Sequence, residues 1–152
     1  MKLIVGEAGF DPGFEVNEFT SKAGGAGAVV SFTGLVRGDR SASGMMIEHY
    51  PGMTEKAIAA IMEQASVRWN LIDILVIHRY GKLAVGEPIM MVATAGIHRS
   101  EAFLAADFLM DYLKSRAPFW KKEIGSDGEE WVLAKEADEA ALRRWSHACD
   151  LP

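Results

Sequence analysis

A few cationic side chains, held at particular places in an otherwise acidic chain, are the residues best suited to do chemistry. Arg37 ends a β-branched, apolar run. His98 and Arg99 stand just before a helix opening near Ser100, Lys114 and Arg116 fall in that helix's last turn, and Lys121, Lys122 and Glu123 follow in a strand. Free backbone N–H groups and the positive end of the dipole meet at a helix N-terminus, so His98-Arg99-Ser100 reads as an anion site with added charged donors. A helix cap beside a surface arginine is the plainer alternative. Lys114 and Arg116 have a plain reading too, because cations complement a helix C-terminus. Lys121 and Lys122 alternate faces on a strand, so at most one of them points the same way as a pocket. A lysine that is desolvated or crowded by cations can exchange a proton near neutral pH.

Other chemistries are weaker. The glycines of 24–27 precede a strand, whereas a phosphate-binding glycine loop leads from a strand into a helix. His49 and His78 sit at strand ends and read as structural histidines. No His, Cys, Asp and Glu set has metal-ligand spacing, and no motif anchors a serine nucleophile. Cys149 is the only cysteine, which rules out an intrachain disulfide and fits a reduced, cytoplasmic setting. Its place near the end of the chain suits a catalytic thiol poorly. The apolar run at 3–5 is too short for a signal peptide's core, and no segment approaches transmembrane length, so no membrane role is expected. With 16 Lys and Arg against 21 Asp and Glu, the net charge of −5 lacks the cationic field of a general nucleic-acid or membrane-surface binder. A small cationic pocket remains compatible with it.

The elements that must position these residues follow from pattern. A chain of 152 residues, 49% hydrophobic and 24% charged, suits one globular domain spanning 1–152. Strands are predicted at 3–5, 28–36, 45–50, through IDILVIHRYG, and through PIMMVATAG; the last two are near-continuous apolar runs and should be central. A short helix is predicted over 15–22, after loop punctuation at Gly9, Asp11, Pro12 and Gly13. A second follows Pro51-Gly52, with a stripe of Ile58, Ile61, Met62, Ala65 and Trp69. The third is capped by Ser100, buries Phe103, Ala106, Met110, Leu113 and Ala117, and stops before Pro118. A hairpin of 119–124 and 131–134 around Ser126-Asp127-Gly128 and a last helix over about 138–146 complete the chain. Some strand connections are too short for parallel crossovers, so an α+β fold with a largely antiparallel sheet is expected.

The motifs FTGLVR (32–37), EHYPGMTEKA (48–57), IHRYGKL (77–83), GIHRSEAF (96–103) and above all MDYLKSRAPFWKKE (110–123) closely resemble the large subunit of molybdopterin synthase, the MoaE family. The likeness runs from about residue 26 to Trp145 and is poor over 6–24 and in the tail. It implies an α/β hammerhead-like fold with a small added β subdomain. It further implies a homodimer in which each subunit receives a small ubiquitin-like sulfur carrier, making a heterotetramer. The carrier's C-terminal Gly-Gly, activated as a thiocarboxylate, would thread into the active site. The implied substrate is cyclic pyranopterin monophosphate (precursor Z), which two sulfurs from successive carriers convert to the dithiolene of molybdopterin. No metal, nucleotide or redox cofactor is implied for this subunit. By position, Lys114 and Lys121 match the family's two catalytic lysines. Lys114 would hold the thiocarboxylate terminus and stabilise charge during acyl transfer, and Lys121 would be the general acid/base. Arg37, His98 and Arg99 match substrate-binding positions and suit a phosphate. Leu35, Val36, Lys122 and Glu123 fall within the same binding stretches. Leu35 stands where relatives often carry Lys, and Lys135 where an Arg is expected, so their roles stay open.

Fourteen residues separate Ser100 from Lys114, roughly 20 Å along a straight helix. The simplest site therefore spans the dimer, with the phosphate cradle of one subunit serving the lysines of the other. Two non-catalytic readings predict different things: a dimeric phosphate-ligand sensor would tolerate Lys121→Arg, and a carrier-binding scaffold would not need Arg37 or His98.

Overall fold

The computed structural model describes residues 1–38, 42–125, 128–132 and 136–145. In chain order the elements are β1 (Lys2–Gly6), α1 (Pro12–Lys22), β2 (Ala28–Leu35), β3 (Ala42–His49), α2 (Met53–Arg68), β4 (Asp73–Arg79), β5 (Gly81–Ala84), β6 (Pro88–Gly96), α3 (Arg99–Ser115), β7 (Phe119–Gly125), β8 (Gly128–Val132) and α4 (Glu136–Arg143). The strands form two four-stranded sheets, ordered β1-β4-β6-β2 and β5-β3-β7-β8. Every pairing is antiparallel except β1 with β4. The mixed α+β class with mostly antiparallel strands thus holds, and the second sheet corresponds to the added β part that the resemblance implied.

The two most apolar runs lie in the middle of the first sheet, as expected. Alternation along them feeds two cores, since successive strand side chains point to opposite faces. Ile74, Val76 and Val92 pack on the face covered by α2 and α3, while Leu75, Ile77 and Met91 pack on the face covered by α1. Helix α2 buries Ile58, Ile61, Met62 and Ala65, the predicted stripe. Each fully buried Ile or Leu stabilises the fold by roughly 1.5–3 kcal/mol relative to exposure. Among the described residues no helix is long and apolar enough to cross a membrane.

Several boundaries differ from the sequence reading. Helix α1 begins at Pro12, not Glu15: the Asp11 carboxylate accepts from the amides of Gly13 (2.8 Å) and Phe14 (3.1 Å), and proline suits the first helical position. Strand β3 starts at Ala42, three residues before the predicted strand. The run IDILVIHRYG is broken after Arg79, where Gly81, with φ +84°, turns the chain from the first sheet into β5 of the second. The Arg79 guanidinium, buried at this crossing, donates to the carbonyls of Glu7 (3.2 Å) and Pro88 (3.1 Å) and so ties three strand ends together. Strand β8 occupies 128–132, ahead of the predicted 131–134, because Gly125 and Gly128 already pair across the turn.

Helix α3 carries the largest corrections. His98, not Ser100, is its N-cap, and its side chain makes no capping bond; the Ser100 hydroxyl instead donates to Glu101 (3.1 Å). Of the predicted buried face Ala106, Met110 and Leu113 are buried, but Phe103 is 61% exposed, and Ala102, Ala105, Phe108 and Leu109 are buried beside them. The alanines let the helix lie close on β6, where the buried Thr94 hydroxyl donates to the Ala102 carbonyl at 2.7 Å.

Candidate active site

Strand register sets where the candidate residues fall. His78 of β4 pairs with Met90 of β6, and Met90 with Gly34 of β2, so these three mark one end of the first sheet. Arg37 leaves β2 at that end, exposed. The residue before it is held firmly: the Val36 amide donates to the Glu87 carbonyl (2.9 Å), and the Gly86 amide donates to the Val36 carbonyl (2.8 Å). Val36 is 2% exposed and belongs to the core, which leaves its side chain no surface for a ligand; Leu35 faces solvent.

Helix α3 runs back along β6 from the Thr94–Ala102 bond and delivers Lys114, exposed, in its last turn. Lys114 lines a groove of about 530 Å³ between α3 and β2, with Phe32, Phe103, Leu104, Asp107 and Asp111 among its walls. Three residues beyond the helix's cap, Phe119 begins β7 and stacks on His78, ring centroids 3.7 Å apart and planes 13° from parallel. The His78 Nδ1–H donates to the Arg79 carbonyl at 2.9 Å. Burial pushes this imidazole down to about 3, with the nearby Lys121 charge acting in the same direction and the carbonyl bond opposing it. Lys121 therefore lies on the His78 side of β7, two residues on from Phe119 and on the same face.

Lys122 points the other way. Its ammonium meets Glu48 at 3.0 Å and lies 4.2 Å from the centre of the Trp131 ring, on the outer face of the second sheet. The alternation argued from sequence thus separates Lys122 from Lys121, while Glu123, exposed, shares the Lys121 face. Arg37, Lys114 and Lys121 are brought to one end of the first sheet. Lys122 and the side chain of Val36 are not part of that gathering.

His98 and Arg99 lie at the opposite end, where Ala28 pairs with Gly96. Two rulers give the separation. The sixteen residues from His98 to Lys114 rise about 24 Å along the helix, and the seven steps of β2 from Ala28 to Leu35 span about 23 Å. Both side chains are exposed. The first turn of α3 is not an empty anion cradle. Glu101 folds over it, its carboxyl held below the usual range first by its own backbone amide, then by the Ser100 hydroxyl and His98.

Sequence reasoning missed the partners that surround Lys114. Asp111 accepts from Arg144 and from the Trp145 indole, both beyond the third helix, and no local pattern signals such a pairing. Lys135 and Cys149 lie outside the described residues. Among the described residues no group of three or more His, Cys, Asp or Glu could hold a metal ion.

With this geometry in place, likeness to known proteins is informative. A relative from Cereibacter sphaeroides named molybdopterin synthase catalytic subunit is 64% identical over 146 residues, 95% of this chain and 100% of its own. A solved molybdopterin biosynthesis MoaE protein from Burkholderia ambifaria superposes with a TM-score of 0.82 at 45% identity, covering 95% of this chain and 97% of that one. Molybdopterin synthase from Staphylococcus aureus gives 0.77 at 30% identity, covering 86% and 96%. Fold and likeness together define an enzyme subunit of the molybdopterin synthase type. The model of the family described as MoaE protein matches residues 7–116, and the chain belongs to that family.

Proposed function

We propose that the whole chain works as a single catalytic domain that transfers sulfur to cyclic pyranopterin monophosphate, yielding molybdopterin in the cytoplasm. The sulfur comes from a small ubiquitin-like carrier bearing a C-terminal Gly-Gly thiocarboxylate, one carrier on each subunit of a homodimer. One observation carries this reading: Arg37, Lys114 and Lys121, distant in sequence, lie at one end of the first sheet, with Lys114 on an open groove. An extended peptide laid in the groove presents its terminal anion to the Lys114 ammonium. The carrier's sulfur bonds to a substrate carbon, and water then attacks the acyl carbon of the resulting thioester, leaving sulfur on the pterin and the carrier as a carboxylate. The Lys114 charge stabilises the oxyanion of that step. Lys121, beside the apolar Phe119–His78 stack, exchanges protons with the substrate while the cyclic phosphate opens and the side chain is sulfurated.

Arg37 supplies a guanidinium for the phosphate from a backbone set by the Val36 bonds. The two rulers of about 23–24 Å put His98 and Arg99 beyond reach of the same pterin. They are assigned to the site of the other subunit, completing its phosphate cradle. On that subunit, binding of the phosphate must displace or accommodate the Glu101 carboxylate. Lys122 is assigned a structural role through Glu48 and Trp131, and Glu123 a place at the rim of the Lys121 face.

Lys121 separates this reading from that of a phosphate sensor. Lys121→Arg keeps charge but not proton-transfer geometry, so it should leave carrier binding within about twofold and abolish turnover. A variant that retains turnover removes Lys121 from the chemistry.

A further inference from the structure

The groove that holds Lys114 also holds two carboxylates. Asp107, Asp111 and Lys114 fall at i, i+4 and i+7 on one face of α3, so Asp111 stands three residues before Lys114, a spacing at which acid and base normally pair. They are not paired here. The Asp111 Oδ2 accepts from Arg144 Nε (2.9 Å), Arg144 Nη2 (2.6 Å) and the Trp145 indole (2.7 Å), while Asp107 Oδ2 lies 2.8 Å from Arg144 Nη2. Among the described residues Lys114 ends in no hydrogen bond or ion pair.

We propose that Arg144 is a positioning residue for Lys114, engaging Asp111 and Asp107 so that the Lys114 ammonium stays available to an anion arriving in the groove. This rests on the reading that Lys114 receives the carrier's thiocarboxylate. The charge count supports it: two carboxylates face one lysine along the groove wall, and Arg144 supplies the second cation. The other charged group close to Lys114 in the chain is Arg116, while β2 contributes Val30, Ser31 and Phe32, which carry no charge. Asp111 has only 14% of its side chain exposed, so with Arg144 gone it is a poorly hydrated carboxylate with Lys114 three residues on along the same groove wall.

The docking of the C-terminal segment does not rest on Arg144 alone. Trp145 packs edge-on against Trp69 (5.8 Å) and Phe108 (5.5 Å), and Arg68 donates to the Trp145 carbonyl at 3.3 Å. Arg144→Ala therefore keeps its fold. Capture of Lys114 by Asp111 then lowers kcat/KM for a thiocarboxylated carrier by roughly two- to fivefold, the scale of a single ion pair.

Adding Asp111→Asn to Arg144→Ala decides the matter. If charge capture is the cause, the double variant regains most of the lost kcat/KM, although it has lost every Arg144–Asp111 contact. If Arg144 acts only by holding the C-terminal segment, the double variant is as poor as the single one or poorer, and the proposal is overturned. An activity-free readout separates this from the proposed function. A lysine ammonium held in an ion pair exchanges slowly enough to give an Nζ–H NMR signal, which should appear for Lys114 in Arg144→Ala and vanish in the double variant. No new signal in Arg144→Ala overturns the proposal. The signal without any effect on turnover leaves the capture intact and points instead against the role of Lys114 in catalysis.

Discussion

A site shared between subunits makes a quantitative prediction about mixed dimers. One chain carries Lys114→Ala and Lys121→Ala, and the other His98→Ala and Arg99→Ala. Each homodimer lacks one half of every site. Charge-assisted hydrogen bonds contribute about 1.5–3 kcal/mol each, so losing His98 and Arg99 together costs roughly 3–6 kcal/mol, a hundredfold or more in kcat/KM. In a heterodimer purified through two different tags, one site joins both defective halves and the other joins both intact halves. The pure heterodimer should therefore recover about half of wild-type activity, and a random equimolar mixture about a quarter. If all the groups instead came from one chain, every site in the heterodimer would keep one defect and activity would stay at the parental background. The readout is molybdopterin formed per dimer with precursor Z well below its KM and thiocarboxylated carrier in excess, so that the rate follows kcat/KM for precursor Z. Recovery near zero in a verified heterodimer would refute the reasoning from the helix and strand lengths.

Two further outcomes concern stability. His78, its imidazole pushed down to about 3 by burial, stays neutral in the fold but takes up a proton once unfolded. Its folded pKa lies below its unfolded value, so stability falls as pH drops below about 6.5, by up to about 1.4 kcal/mol per unit. Urea midpoints measured from pH 7 to pH 5 should show a shallower decline for His78→Gln than for wild type, and equal slopes would contradict the assignment. Gly27→Ala places a Cβ 2.3 Å from the Ile97 carbonyl oxygen, backbone that must move. A loss of about 1–3 kcal/mol in denaturant unfolding is expected, with a weaker apparent affinity for the phosphate substrate because His98 adjoins the displaced peptide.

What could be read from the chain alone depended on whether the deciding forces were local. The runs in β4 and β6 declared themselves because both faces of those strands are buried, and the α2 stripe because the helix has one apolar face. The opposite directions of Lys121 and Lys122 followed from strand geometry alone. The face of α3 was legible only in part: Ala106, Met110 and Leu113 are buried as their spacing indicated, but Phe103 is exposed and the buried face widens to Ala102, Ala105 and Leu109. The small alanines join the buried face because they permit close approach to β6, a tertiary condition with no local mark. Strand β5 was hidden for a similar reason, since the predicted run stops at Gly81, whose positive φ redirects the chain into it. Arg144 was out of reach because its partner lies thirty-three residues away on another helix.

Turnover by the purified protein tests the central claim most directly. Wild type, Lys114→Ala and Lys121→Ala are each incubated with precursor Z and thiocarboxylated carrier, after circular dichroism and carrier binding establish that all three are folded and competent. The account predicts molybdopterin from wild type and at least a hundredfold less from either variant, a loss of about 2.7 kcal/mol or more in transition-state stabilisation. Wild type that binds the carrier yet forms no product, or variants that turn over like wild type, would contradict it.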